Sequence, residues 1–198
     1  MTPEERKKLT SFLLLSLAGA VLLVSAVIGL LLWHATKQPV SGGDFTLNYQ
    51  GQDWTFSSHA KDLNLLYIGY TKCPDVCPLT LSHAGEAFER LSAENKKDLQ
   101  LIFVSVDSEH ETPEEVAAYA RQFNPDFIGL TGTKTALDQA VGLFHASYIV
   151  EKEPGSYLGY SIAHTDRLFF LDQKGHVIDV IQNPRSSDLI LQKIKENL

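Results

Sequence analysis

Cys73 and Cys77 are the only cysteines of this 198-residue chain, and three residues separate them. An apolar run from Leu65 to Tyr70 ends shortly before the pair, and Pro78 directly after it suits the first turn of a helix. The thiols are therefore expected at the amino end of a helix, where free N–H groups stabilise a thiolate. Thiolates attack disulfides and bind soft metals. The pair predicts redox chemistry or a metal site, since so short a loop gains little from a stabilising disulfide.

The elements predicted around the cysteines alternate between strands and helices. The predicted strands are 45–49 and 54–56, joined as a hairpin by a turn at Gln50 and Gly51, then 65–70, 101–106, 127–130, 144–150, 167–171 and 177–181. The predicted helices are 78–97, 112–123, one opening near Thr135 and one following Ser186 or Ser187. Buried parallel strands with an antiparallel edge and helices on both faces make an α/β sandwich with an amino-terminal β-hairpin.

Two thiolates leave a soft metal under-coordinated, and the seven histidines supply candidates for a further ligand. His164 is favoured by position, because it lies in a predicted loop that enters a core strand. In a thioredoxin-like sheet that loop faces the cysteine motif. His83, six residues after Cys77 but on a different helix face, is the weaker candidate. The others are expected at the end of the apolar amino-terminal segment, in polar turns or in a packed strand: His34, His59, His110, His176 and His145.

The amino-terminal segment predicts a membrane anchor. Residues 9–33 are almost purely apolar, and a helix of about 25 residues spans the hydrocarbon core of a bilayer. Arg6, Lys7 and Lys8 place the amino end in the cytoplasm by the positive-inside rule, so a periplasmic domain at a bacterial inner membrane is expected. A cleavable signal peptide is the alternative. The predicted boundaries are a head at 1–8, an anchor at 9–33, a linker at 34–43 and a domain at 44–198.

The charge of the predicted domain excludes one class of partner. The formal net charge of the chain is −7, and 13 basic and 22 acidic residues follow residue 40. Nucleic-acid binding needs a basic surface, so it is not expected. An acidic surface is compatible with solubility and with a basic protein partner.

Several motifs, taken together and in order, resemble the Sco/SenC family of copper-binding proteins that assist assembly of cytochrome c oxidase. The resemblance covers residues from about Phe45 to the end of the chain. It implies a thioredoxin-like fold in which Cys73, Cys77 and His164 bind copper. The motifs are Tyr70-Thr-Lys-Cys-Pro-Asp-Val-Cys-Pro78, Val104-Ser-Val-Asp107, Thr112-Pro-Glu114, Leu130-Thr-Gly132, and the histidine ahead of Phe169-Phe-Leu-Asp172.

The resemblance implies a membrane-anchored copper metallochaperone that delivers copper to the binuclear copper centre of the oxidase. The expected partner is the copper-site subunit of that enzyme, with other periplasmic copper chaperones or thiol reductases as further partners. Two thiolates favour Cu(I), and an imidazole also accommodates Cu(II). The alternative function is a periplasmic thiol–disulfide oxidoreductase that keeps the cysteines of the oxidase copper site reduced. Under that reading Cys73 and Cys77 would be the redox-active pair.

Overall fold

The computed structural model describes residues 3–4, 16–17, 19–30 and 41–198. Most of the predicted head, most of the predicted linker, the two ends of the predicted anchor and residue 18 lie outside these ranges. Residues 19–30 are helical. Within the described ranges, no helix has both the length and the apolar composition that a membrane crossing requires. The unit from Ser41 to Leu198 is described from here on.

The centre of this unit is a five-stranded mixed sheet with the order β5-β4-β3-β8-β9. Strand β3 lies in the middle, parallel to β4 and antiparallel to β8, and every residue of β3 and β4 is buried. Such continuous apolar strands are typical of a sheet covered on both faces. The strands of this sheet are β3 Leu63–Gly69, β4 Leu99–Ser105, β5 Ile128–Leu130, β8 Arg167–Leu171 and β9 Val177–Gln182.

Two further pairs of strands stand apart from the central sheet. The first is the predicted amino-terminal hairpin, β1 Thr46–Tyr49 and β2 Gln52–Thr55, whose turn holds Gln50 and Gly51 at positive φ angles of 50° and 85°. A two-residue hairpin turn of type I′ needs such angles at both central residues. The second pair is β6 Tyr148–Lys152 with β7 Tyr160–His164, called here the β6–β7 ribbon.

Six helices lie in this unit, and four of them have a serine or threonine side chain as the amino-terminal cap: Ser92, Thr112, Thr133 and Ser186. Thr112 and Glu115 form the expected capping box at the start of α4, with Pro113 in the first turn. Helix α2 packs against α6, and α4 packs against β5. The helices are α1 Phe56–His59, α2 Val76–Glu89, α3 Ala93–Lys97, α4 Pro113–Arg121, α5 Lys134–Leu143 and α6 Ser187–Asn197.

The structure corrects three of the predicted elements. The single helix expected at 78–97 is divided, because Ser92 caps a new helix by accepting a hydrogen bond from the N–H of Asn95. The strand expected at 144–150 begins only at Tyr148, since Phe144 ends α5 and His145 has a positive φ of 48°. His145 is therefore exposed, and the expectation that it is packed was wrong.

The third correction concerns the segment that carries His164. A loop was expected at 161–166, but residues 160–164 form strand β7. At the other end of the domain, Ser41, Gly42 and Gly43 hydrogen-bond to the backbone of Leu143, Gly175 and Val177. These three residues, placed in the linker by the sequence analysis, thus lie against the domain.

Candidate metal centre

Cys73, Cys77 and His164 come together at the carboxyl end of β3. Cys73 lies in the loop after β3, Cys77 is the second residue of α2, and His164 is the last residue of β7. Their Sγ and imidazole nitrogen atoms all lie within 4.8 Å of one another. Among the described residues, they are the group of three such side chains close enough to hold one metal ion. The fold therefore assembles the three residues that the sequence analysis selected.

The environment of Cys73 stabilises its thiolate. The Cys77 side chain hydrogen-bonds to the Cys73 sulfur, and the backbone N–H groups of Asp75 and Cys77 donate to it at the amino end of α2. These bonds outweigh the cost of burial and lower the pKa of Cys73 to about 3. Both cysteines are reduced and buried. Cys73 is thus the ionised member of the pair.

The pKa of Cys77 moves in the opposite direction. The hydrogen bond to Cys73 and complete burial of the side chain raise the pKa of the Cys77 thiol. Two neighbouring thiols cannot both ionise easily, because the second negative charge would be placed beside the first. The pair therefore holds one shared proton, with the charge on the less buried sulfur, Cys73. Metal binding by both sulfurs releases that proton.

His164 presents its Nε2 atom to the cysteines. Nε2 lies 3.3 Å from the Cys77 sulfur, and Nδ1 lies 3.3 Å from the backbone oxygen of Thr165. A carbonyl oxygen only accepts hydrogen bonds, so this contact places the imidazole proton on Nδ1. Nε2 is then the nitrogen that faces the sulfurs. A metal-ligating histidine has this arrangement, with its second nitrogen held by the protein.

Gly69, the last residue of β3, makes room for the Cys77 sulfur. A Cβ atom at this position would lie 2.5 Å from the Cys77 Sγ and 3.2 Å from the Phe103 ring. Both distances are shorter than ordinary van der Waals contacts, so any side chain here would displace the sulfur. The thiol lies directly against the backbone of the central strand for this reason.

Two buried tyrosines enclose the imidazole. The rings of Tyr67 and Tyr70 lie edge-on to His164, with centroid distances of 6.2 Å and 6.0 Å. Burial raises the pKa of Tyr67, and burial together with the neighbouring Cys73 raises the pKa of Tyr70 to about 12. Both phenols therefore stay neutral at ordinary pH. The imidazole is therefore in contact with two uncharged rings.

His83 is not part of the site. It lies on α2 outside the ligand group, and its Nδ1 atom lies 3.7 Å from the carboxylate of Glu86 on the same helix. Gly69, Tyr67 and Tyr70 were not predicted as parts of the site. Gly69 had a recognisable signal, namely one residue without a side chain at the end of a run of large apolar residues, and Tyr70 begins the motif of the cysteines. Tyr67 had no signal, because buried aromatic residues are common in core strands.

Comparisons with known proteins agree with this geometry. Residues 34–198 match the SCO1/SenC family model. The mitochondrial SCO1 homolog of Homo sapiens is 31% identical over 158 residues, which cover 77% of this chain and 51% of the human protein. The chain therefore spans about half the length of that relative.

Solved structures show the same fold. The apo form of Sco1 from Thermus thermophilus matches with a TM-score of 0.73 and 30% identity, covering 80% of this chain and 92% of that one. ScoI of Bradyrhizobium japonicum with copper bound matches with a TM-score of 0.66 and 26% identity, covering 80% and 99%. The thioredoxin-like α/β fold and the family resemblance are confirmed, and this chain belongs to the SCO1/SenC family.

Proposed function

We propose that this chain is a membrane-anchored copper metallochaperone that delivers copper to the binuclear copper centre of a cytochrome c oxidase during assembly of that enzyme. One observation carries the proposal: two buried sulfurs and one imidazole nitrogen lie within 4.8 Å of one another. The family membership adds the class of metal and the class of client. Copper is here a cargo that the protein receives and passes on.

The ligand group fits copper. Thiolates are soft ligands that favour Cu(I), and an added imidazole nitrogen accommodates Cu(II). Cys73 is already ionised, so binding by both sulfurs requires the loss of one further thiol proton, from Cys77. Two sulfurs and one nitrogen are one ligand short of the four that structural zinc sites use, but the same set also occurs in catalytic zinc sites. The choice of copper over zinc is therefore supported by the family membership and by the copper-bound relative.

The similar proteins support the same cargo. The Bradyrhizobium japonicum relative was solved with copper bound, and a similar protein of Stutzerimonas stutzeri, 30% identical over 137 residues, is described as a putative copper-binding protein. We infer that the client is the copper-site subunit of the oxidase, with other periplasmic copper chaperones or thiol reductases as further partners. The acidic domain surface suits a basic docking surface on a client.

The location follows from the amino-terminal sequence. We infer a single membrane-spanning helix over 9–33, with a cytoplasmic head at 1–8, a linker at 34–40 and the periplasmic domain at 41–198. A reporter fused after Leu198 should then be active only on the exported side of a bacterial inner membrane. A mature amino terminus near Ala35 or Gln38 would instead identify the segment as a cleaved signal peptide.

Copper stoichiometry tests the metal site. The reduced full-length chain in detergent should bind about one copper ion, and Cys73→Ser or Cys77→Ser should lose most of the binding. His164→Ala should weaken Cu(II) more than Cu(I), because two thiolates are sufficient for Cu(I). His83→Ala is the matched control and should bind like the parent. Equal Cu(II) binding by His164→Ala and the parent would exclude His164 as a ligand.

A thiol–disulfide oxidoreductase is the second candidate, favoured by the unequal thiols. An ionised Cys73 could attack a client disulfide, and Cys77 would then resolve the mixed disulfide, leaving a Cys73–Cys77 disulfide and a reduced client. Cells carrying His164→Ala separate the two functions. A chaperone predicts oxidase deficiency at limiting copper with at least partial rescue by added copper. A reductase predicts full oxidase activity in that variant and a defect in Cys73→Ser.

A further inference from the structure

The segment that carries His164 is not part of the central sheet. Strands β6 and β7 pair with each other and form a separate two-stranded sheet, whereas the cysteines follow directly on the central strand β3. The ladder of the central sheet resumes only at Arg167, three residues after His164, and the Asp166 carbonyl accepts a hydrogen bond from the N–H of Asn183. The ladder therefore does not include His164 itself, and side-chain bonds made by the segment after β7 add to this main-chain constraint in placing the imidazole.

Asp166 supplies one such connection, two residues after His164. One oxygen of its carboxylate accepts a hydrogen bond of 2.9 Å from the hydroxyl of Tyr67 on β3. The other oxygen pairs with the Nη2 group of Arg185. The Asp166 side chain is 18% exposed and that of Arg185 is 30% exposed, so water screens the pair less than it screens a surface ion pair.

Arg185 extends this connection to the helix of the cysteines. Its Nη1 group donates a hydrogen bond of 2.8 Å to the hydroxyl of Thr80. Thr80 is completely buried on α2, three residues after Cys77. One guanidinium group thus joins the segment after β7 to the helix that carries the second sulfur. The planar guanidinium group has several N–H donors and can contact Thr80 and Asp166 at once. The ammonium group of a lysine acts as a single point charge.

We propose that Arg185 is a positioning residue for His164, acting through Asp166. Its guanidinium, bonded to Thr80, holds the carboxylate against Tyr67, and the carboxylate holds the backbone two residues after the imidazole. Arg185 itself does not bind the metal. The inference rests on the proposed copper site, because the consequence of misplacing His164 is a weaker Cu(II) site with Cu(I) binding preserved.

The position of the imidazole can be measured without any metal. In the full-length chain in detergent, isotope-labelled at histidine and tyrosine, nuclear Overhauser contacts should join the His164 ring to Tyr67 and Tyr70. Arg185→Met should weaken these contacts, and Asp166→Asn should do so as well. Arg90→Met is the matched control, because Arg90 forms an exposed ion pair with Asp188 at 2.6 Å, and it should leave the contacts unchanged.

The second readout is copper affinity and the electron paramagnetic resonance spectrum of the Cu(II) form. Arg185→Met should lower Cu(II) affinity about tenfold and alter the spectrum, as is usual for groups that orient a ligating histidine. Cu(I) affinity should stay at the parent value. Arg185→Lys keeps the charge but loses the planar guanidinium group, so its Cu(II) affinity should fall between those of the parent and Arg185→Met.

These measurements separate the inference from the proposed function. If folded Arg185→Met kept the parent ring contacts and Cu(II) spectrum, Arg185 would have no positioning role. If Arg185→Met failed to fold, Asp166→Asn would decide the question by the same contacts. A parent chain that bound no copper at all would overturn the proposed function, while the ring contacts would still test the role of Arg185.

Discussion

The cysteine segment and the β6–β7 ribbon bring their ligands to one point by different physical means. Cys73 and Cys77 follow the central strand of the sheet, and every residue of that strand is buried and paired with β4. His164 lies on a ribbon with exposed side chains such as Ile149 and Val150, which are 61% and 52% exposed. The comparison teaches that the thiols depend on main-chain regularity, while the placement of the imidazole depends in addition on a few polar side chains.

This division suits the proposed role as a carrier of copper. Under that proposal the thiolate pair would keep Cu(I) even if the ribbon moved, because two thiolates satisfy that ion. The ribbon contributes only the imidazole. Small changes in its side-chain contacts should therefore affect Cu(II) and leave Cu(I) almost untouched. The following variants are designed to break or sharpen this difference.

The largest effect is expected from Gly69→Ala, which disturbs the cysteine segment itself. The added Cβ would lie 2.5 Å from the Cys77 sulfur, so the sulfur must move and Cu(I) and Cu(II) should both bind more weakly. Overpacking of this kind usually costs about 1–3 kcal/mol of unfolding free energy. Chemical denaturation and copper titration measure the two effects.

Gly142→Ala on α5 is the control for that variant. A Cβ there meets no atom within 4 Å, and alanine in a helix is favoured over glycine by about 0.5–1 kcal/mol. It should bind copper like the parent. Parent stability and parent Cu(I) affinity in Gly69→Ala would show that the close approach of sulfur and backbone is unimportant.

A smaller and more selective effect is expected from Tyr160→Phe on the ribbon. The Tyr160 hydroxyl donates to the buried carboxylate of Asp107, which also accepts a hydrogen bond of 2.7 Å from His110. Loss of one partner of a buried polar group costs about 1–3 kcal/mol. Cu(II) affinity should fall while Cu(I) affinity stays unchanged. Equal losses for both ions would mean that the ribbon supports the thiols as well.

Tyr157→Phe is the control for the ribbon variant. Tyr157 lies in the loop between β6 and β7 and is fully exposed, so removal of its hydroxyl should change neither stability nor copper binding. Comparison of the two variants separates the contribution of the Tyr160–Asp107 hydrogen bond from any general effect of removing a tyrosine hydroxyl in this region.

The smallest effect is expected from His164→Ala on the charge of Cys73. The pKa of Cys73 is about 3, so its thiolate persists above that pH and disappears as the pH falls through it. The Cys77 side chain is the main cause of this low pKa, and His164 contributes less. Acid titration of the thiolate ultraviolet absorbance should show a slight upward shift in His164→Ala and a larger one in Cys77→Ala. An equal shift in both variants would show that the ribbon controls the thiols too.

The cysteine side of the site was predictable because its determinants are local. The apolar run of β3, the C-x-x-x-C spacing and Pro78 together place two thiols at the start of a helix, and the structure agrees. The capping box at Thr112 and the turn at Gln50 and Gly51 were predictable for the same reason. Each depends on residues within a few positions of one another.

The ribbon was not predictable in the same way. A left-handed residue at His145 shifts the start of β6, and β7 is a short strand with only Ile162 buried, so periodicity gives a weak signal. His164 was chosen from its place ahead of a core strand and from the family motif. The strand that carries it, and the residues that hold it, were found only in the folded chain.

The sequence by itself determined the α/β architecture, the thiol pair at a helix start and the family, since these follow from local patterns and ordered motifs. Only the tertiary structure decided which of Cys73 and Cys77 keeps the shared proton, and that a side chain at position 69 would displace the Cys77 sulfur. It also decided how Tyr67, Asp166 and Arg185 lie around His164. Those contacts join residues up to about a hundred positions apart. Their geometry depends on how the sheet, the helices and the ribbon pack, which no local pattern encodes.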